Sequence, residues 1–226
     1  MEPGKRVAVI LSGCGVFDGS EIHEATLSLL ALDQRGAKAI IAAPDVPQAK
    51  VHDHQGGGDV KGETRNVLVE AARIARGEIR PVSELKPGDC DAVLLPGGFG
   101  AALNLSNLAI AGADLVIEPS TAAFLKAAYQ EGKPLGALCI APPILAKVLA
   151  DLGVKGVRMT IGNDPGTAGV IHALGQTHVE CVASSYVADT DRRVVTCPAY
   201  MRAGGIAELW MGIDAAVGAL LEMIPA

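Results

Sequence analysis

Arg6-Val7-Ala8-Val9-Ile10-Leu11 is an apolar run with no polar residue after its leading arginine. A strand with one wet face alternates apolar and polar residues. One that is apolar throughout suits a parallel sheet covered on both faces. The next segment changes period. Over residues 20–35, Ile22, Ala25, Leu29 and Leu32 recur at helical spacing, and Gly36 follows as a stop. Residues 37–43 (AKAIIAA) return to strand and end at Pro44. Strand, helix, strand in so few residues is the opening of a layered α/β fold.

The same alternation continues outward. Residues 44–63 read as an irregular loop or short hairpin, and 64–76 as a helix with Val67, Leu68, Ala71, Ala72 and Ala75 inward. The strand 92–95 runs into Pro96-Gly97-Gly98-Phe99-Gly100. Helices are predicted over 120–130 and 142–152, with the strand 135–138 between them. Short strands at 158–161, 178–182, 186–189 and 194–196 precede a last helix over 205–223. The prediction is an α/β fold with a mostly parallel sheet, and no linker divides 1–226, so one domain is expected.

Composition removes several classes of function. The 226 residues carry 19 Lys+Arg against 25 Asp+Glu, a net charge of −6, which disfavours nucleic acid and anionic membranes as partners. Aromatics make up 3% of the chain, too few for a base-stacking platform. The apolar run at the amino terminus is too short for a signal-peptide core or a membrane span. Cys14, Cys90, Cys139, Cys181 and Cys197 are scattered, with no Cys-x-x-Cys pair. A disulfide scaffold or zinc knuckle is therefore not expected, and a reducing, cytoplasmic setting is.

Ligands of such sheets bind at the carboxyl ends of the strands. The sharpest segment there is Gly136-Ala137-Leu138-Cys139-Ile140-Ala141-Pro142-Pro143. Cys139 falls where a strand gives way to a helix, flanked by small residues, as a cramped nucleophile elbow requires. A helix amino terminus would acidify its thiol. The same short pattern also fits a buried cysteine packed as a small apolar residue. Glu24 shares a helix face with Leu27 and Ala31, where desolvation would raise its pKa and suit it to proton transfer. Alternatively it merely complements the helix dipole, as Glu21 would.

Gly97 and Gly98 permit a turn that aims N–H groups into a cleft, and a ligand-free tight turn fits them equally well. The loop 12–19 matches a dinucleotide fingerprint only loosely, so no cofactor is expected. His52 and His54 alternate in a glycine-rich loop without further ligands. His23, His172 and His178 stand alone, so no metal is expected either.

Together the segments VILSGCGVFDGSEIHEA (9–25), GETRNVLVEAARIARGEIRP (62–81), LPGGFGAALNLSN (95–107), GALCIAPPIL (136–145) and TCPAYM (196–201) resemble the ElbB-like glyoxalases. These are isoprenoid-biosynthesis proteins with an amidotransferase-like domain. More distantly the chain is similar to the PfpI-type protease and glutamine amidotransferase superfamily.

The resemblance implies a flavodoxin-like three-layer sandwich and a homodimer. It also implies Cys139 at the elbow, Glu24 as the cysteine-facing glutamate, and Gly97, Gly98 and Ile140 at oxyanion-hole positions. The implied activity is cofactor-independent conversion of small 2-oxoaldehydes to 2-hydroxy acids. A redox-sensing or non-catalytic protein with a reactive cysteine is the alternative. Where amidotransferases carry a histidine after the elbow helix, this chain reads Met159-Thr160-Ile161-Gly162-Asn163-Asp164, which disfavours amide hydrolysis.

Overall fold

A computed structural model describes residues 4–225. Residues 1–3 and 226, the ends of the expected domain, lie outside the described residues. The strands are β1 (Arg6–Ile10), β2 (Lys38–Ala43), β3 (Arg80–Pro81), β4 (Ala92–Leu95), β5 (Leu135–Leu138), β6 (Arg158–Met159), β7 (Thr177–His178), β8 (Val187–Asp189) and β9 (Val194–Cys197). The helices are α1 (Ile22–Gln34), α2 (Val67–Ile74), α3 (Phe99–Leu103), α4 (Leu108–Ala111), α5 (Pro119–Gln130), α6 (Pro142–Asp151), α7 (Pro165–Ala173) and α8 (Ile206–Glu222).

Seven strands form one sheet in the order β3-β2-β1-β4-β5-β9-β8, parallel except for the β8–β9 pair. The side-chain period of two divides each central strand between two cores. In β1 and the residue after it, Val7, Val9 and Leu11 face one core, shared with Leu32 of α1 and Ile213 and Leu220 of α8. Ala8 and Ile10 face the other, with Phe124 and Leu125 of α5 and Leu145 and Leu149 of α6. The same split holds in β4, where Ala92 and Leu94 oppose Val93 and Leu95. The fold is the flavodoxin-like α/β sandwich, with helices on both faces of a mostly parallel sheet.

Some local expectations need correction. α1 starts after Glu21, whose carboxylate caps it by accepting the Glu24 N–H at 2.7 Å. Ile22, expected inward, is 44% exposed, and the buried stripe runs instead through Glu24, Ala25, Ser28, Ala31 and Leu32. The predicted strands at 158–161 and 178–182 shrink to β6 and β7, which form a separate two-stranded parallel ladder. Between them lies α7, a helix the apolar pattern does not announce, because only Ile171 of its nine residues is buried. Its start was nevertheless written in the sequence. Asp164 accepts the Thr167 N–H at 2.7 Å, and Pro165 occupies the first helical position.

α8 approaches the sheet closely at Gly212, where a Cβ would overlap the backbone carbonyl of Ala183 and stand 3.0 Å from the Cys197 sulfur. Backbone on one side and a buried sulfur on the other cannot give way. Gly212→Ala is expected to destabilise the protein by about 1–3 kcal/mol as overpacking. Urea denaturation with an unchanged m-value measures this, and an unshifted midpoint refutes it.

Candidate active site

The site forms where β1, β4, β5 and β9 end. Cys139 follows β5 directly and sits at φ 57°, in the left-handed region that costs a side-chain-bearing residue of order 1 kcal/mol. The sheet imposes that geometry, since the Cys139 N–H donates to the Cys197 carbonyl of β9 at 2.9 Å. The turn then opens α6, whose first helical positions are Pro142 and Pro143. Cys139 is only 8% exposed.

Glu24 arrives from α1 and is wholly buried. Its Oε2 accepts the Gly97 N–H at 2.8 Å and its Oε1 accepts the Tyr200 N–H at 3.2 Å. No ion pair to Glu24 exists among the described residues. The carboxyl and the Cys139 thiol lie side by side in the pocket, each raising or lowering the other's acidity. Gly97 is the close approach that lets them meet: a Cβ there would stand 2.7 Å from Glu24 Oε2 and 3.0 Å from the Cys139 sulfur. The structure therefore brings together the two residues that the sequence places far apart.

The glycine turn divides its duties in a way the resemblance did not anticipate. The Gly97 N–H is occupied by Glu24 and is not a free oxyanion donor. The donors that face the sulfur are the N–H groups of Gly98 and Ile140. Gly98 holds φ 96° and ψ 156°, a conformation reserved for glycine, and a Cβ there would strike the backbone of Gly19 and Glu21. The 12–20 loop is buttressed against this turn. Phe99 N–H donates to the Val16 carbonyl at 2.7 Å, while Gly100 N–H donates to the Gly19 carbonyl and the Asn104 side chain to the carbonyls of Ser12 and Asp18, these three each at 2.8 Å.

Electrostatics corrects a second expectation. Burial, the largest influence, pushes the Glu24 carboxyl up to about 7, with neighbouring Glu21 adding to the rise and the Tyr200 and Gly97 N–H groups opposing it. The Cys139 thiol is not acidified by its helix. Burial first, and the Glu24 charge second, push it well above its ordinary value, against the N–H groups of Gly98 and Ile140. Two groups that form anions share a dry pocket, so near neutrality the pair carries at most one negative charge.

Asn104 and the Tyr200 N–H are the functional groups that sequence reading missed. Tyr200 follows Ala199, which holds φ 46°, and a backbone donor placed by such a turn leaves no side-chain signature. The histidines serve elsewhere. His23 bonds the Tyr200 hydroxyl at 2.8 Å, His52 bonds Asp59 at 2.9 Å, and His172 packs edge-on against His178. Among the described residues, no group of three His, Cys, Asp or Glu is placed to hold a metal.

A parallel sheet bearing a left-handed cysteine at the end of β5 defines a flavodoxin-like protein with a class I glutamine amidotransferase-like domain. The chain belongs to the DJ-1/PfpI family, whose profile matches residues 5–200. It is similar to the human "glutamine amidotransferase-like class 1 domain-containing protein 3, mitochondrial", with 46% identity over 231 aligned residues covering 98% of this chain and 84% of that one. The rat "ES1 protein homolog, mitochondrial" is 44% identical, covering 98% and 85%. The crystal structure of an isoprenoid biosynthesis protein with amidotransferase-like domain from Ehrlichia chaffeensis matches with a TM-score of 0.88 and 36% identity, covering 96% of this chain and 99% of that one. The names of the human, rat and zebrafish relatives are mitochondrial, which overturns the expectation of a cytoplasmic protein.

The buried carboxyl makes stability fall with pH. Above the ordinary 4.5, Glu24 of an unfolded chain releases its proton, whereas the folded chain keeps it until about 7. The folded state therefore binds more protons in that window, and stability is lost as pH rises through it. This one group should account for roughly 3 kcal/mol between pH 4.5 and 8. Urea midpoints at pH 5 and 8 should differ for the native protein and converge for Glu24→Gln. An equal difference in both proteins would contradict the assignment.

Proposed function

We propose that the protein is a cofactor-independent glyoxalase acting on 2-oxoaldehydes at Cys139 and Glu24. The observation that carries this reading is the buried carboxyl set beside the thiol across Gly97, with the carboxyl pushed up to about 7 and, among the described residues, no histidine bonded to it. Membership of a family with enzymatic members of diverse activity supports it at a coarser level.

The Glu24 carboxylate takes the thiol proton as sulfur adds to the aldehyde carbon, and the carbonyl electron pair becomes an alkoxide held by the Gly98 and Ile140 N–H groups. Protonation of that oxygen by Glu24 gives a hemithioacetal. Glu24 then takes the hydrogen of the former aldehyde carbon as a proton, the hydroxyl proton passes to the ketone oxygen in the enediolate, and Glu24 returns its proton to the adjacent carbon to give the 2-hydroxy thioester. One carbon is oxidised and its neighbour reduced, so no external oxidant is needed. Water adds to the thioester so formed, expels the sulfur, which regains its proton, and releases the 2-hydroxy acid. No amine leaves at any step. The histidine that amide hydrolysis needs as a leaving-group acid is therefore dispensable.

The thiol's raised pKa also weighs against the redox-sensor alternative, because sensor cysteines are accessible thiolates. Cys139→Ala should abolish turnover of glyoxal and methylglyoxal, whereas Glu24→Gln should lower kcat/KM by about 10²- to 10⁴-fold. Full activity in either variant refutes the mechanism. Because the base form of Glu24 is required, kcat/KM should rise with pH through about 7 and then level. A profile flat between pH 5 and 8 would exclude Glu24 as the base.

A further inference from the structure

The two N–H donors that face the sulfur belong to residues bordering a second feature. The side chain of Ile140, and that of Phe99 next to Gly98, both line a pocket of about 220 Å³ that is walled further by Leu108, Ala109 and Val170. Ile140 follows Cys139 and Phe99 follows Gly98, so the pocket borders both turns that build the site. The pocket contains no lysine or arginine, and its one acidic rim residue, Asp164, is engaged by the Thr167 N–H and held as a carboxylate. An anionic substituent would meet a like charge there with no cation to offset it.

The apolar surface continues outward. The chain has three phenylalanines, and two of them stand together here: Phe99 is 49% exposed and Phe17 is 42% exposed, with ring centroids 6.3 Å apart. The third, Phe124, is in the core. The two rings are tilted by 34°, and Phe17 also packs against His52 at 4.8 Å, so Phe99, which lines the pocket, carries the exposed apolar surface that a ligand would cover.

We infer that the pocket between Phe99, Ile140 and Val170 binds a neutral apolar substituent of the carbonyl compound that reacts at Cys139. The substrate class is then aryl- or alkyl-substituted 2-oxoaldehydes in preference to glyoxal itself. This substrate assignment rests on the glyoxalase reading, but the pocket's role in admitting apolar groups to the sulfur does not.

Two measurements separate them. The first is the alkylation rate of Cys139, followed at its own peptide by mass spectrometry, with iodoacetamide and with N-benzyl-iodoacetamide. Relative to a small free thiol, the benzyl reagent should be favoured at Cys139 by about tenfold, the worth of burying a few methylene-sized groups. Ala109→Phe, an exposed position that fills the pocket, should erase that preference. The second is the kcat/KM ratio of phenylglyoxal to glyoxal, which should exceed ten in the native protein and fall toward unity in Ala109→Phe. A benzyl preference no greater than that of the free thiol, or one that survives Ala109→Phe, overturns the inference. A preference that Ala109→Phe removes, in a protein that turns over no aldehyde, sustains the pocket and overturns the glyoxalase reading instead.

Discussion

A carboxyl group buried without a cation governs the chemistry of this molecule. Glu24 has lost all contact with water and is compensated by two backbone N–H groups, with a thiol beside it. Such compensation is partial, because the N–H dipoles are fixed and the thiol is itself a potential anion. The proton is therefore held more tightly than in solution, and the group becomes a base of useful strength near neutrality rather than a permanent charge. An ion pair to arginine would instead have held the carboxylate ionised well below neutrality, leaving it a weak base.

The rest of the pocket exists to hold that arrangement in place. Cys139 and Ala199 both occupy left-handed backbone, and Gly98 a conformation open only to glycine. Each is a small conformational cost, met by the rigidity of the surrounding sheet. The Cys139–Cys197 hydrogen bond joins β5 to β9, while the Glu21 N–H bond to the Gly97 carbonyl at 2.9 Å fixes α1 against the glycine turn. Every side chain in the site is thus positioned by backbone groups from a neighbouring segment. The 12–20 loop, tied down by Asn104, closes the remaining side.

How much of this could be read in the amino-acid sequence depends on whether each property is local. The apolar runs of β1, β4 and β5 were legible because both faces of those strands are buried, and the small residues around Cys139 mark a turn that tolerates nothing larger. Glu24 was conspicuous as an acid on an apolar helix face. Its partners were not, since the Tyr200 and Gly97 N–H groups are features of backbone path. α7 was missed because two glycines and a single buried side chain leave it without an apolar stripe, although Asp164-Pro165 announces its start. The sign of the thiol's shift was misjudged for the same kind of reason. The helix terminus is a neighbour in sequence, but burial and the Glu24 charge come from across the fold and outweigh it.

That the thiol's surroundings are assembled from distant parts of the chain has a bearing on the newly made polypeptide. Before β5 docks between β4 and β9, and before α1 brings Glu24 across, residue 139 is an ordinary solvent-exposed cysteine with an ordinary acidity, more open to oxidation and cross-linking than in the finished protein. Parallel pairing of this kind closes late, because its contacts span long stretches of chain. Oxidative damage at this sulfur should therefore accumulate on nascent or heat-loosened molecules, with the completed sheet serving as the sulfur's protective enclosure.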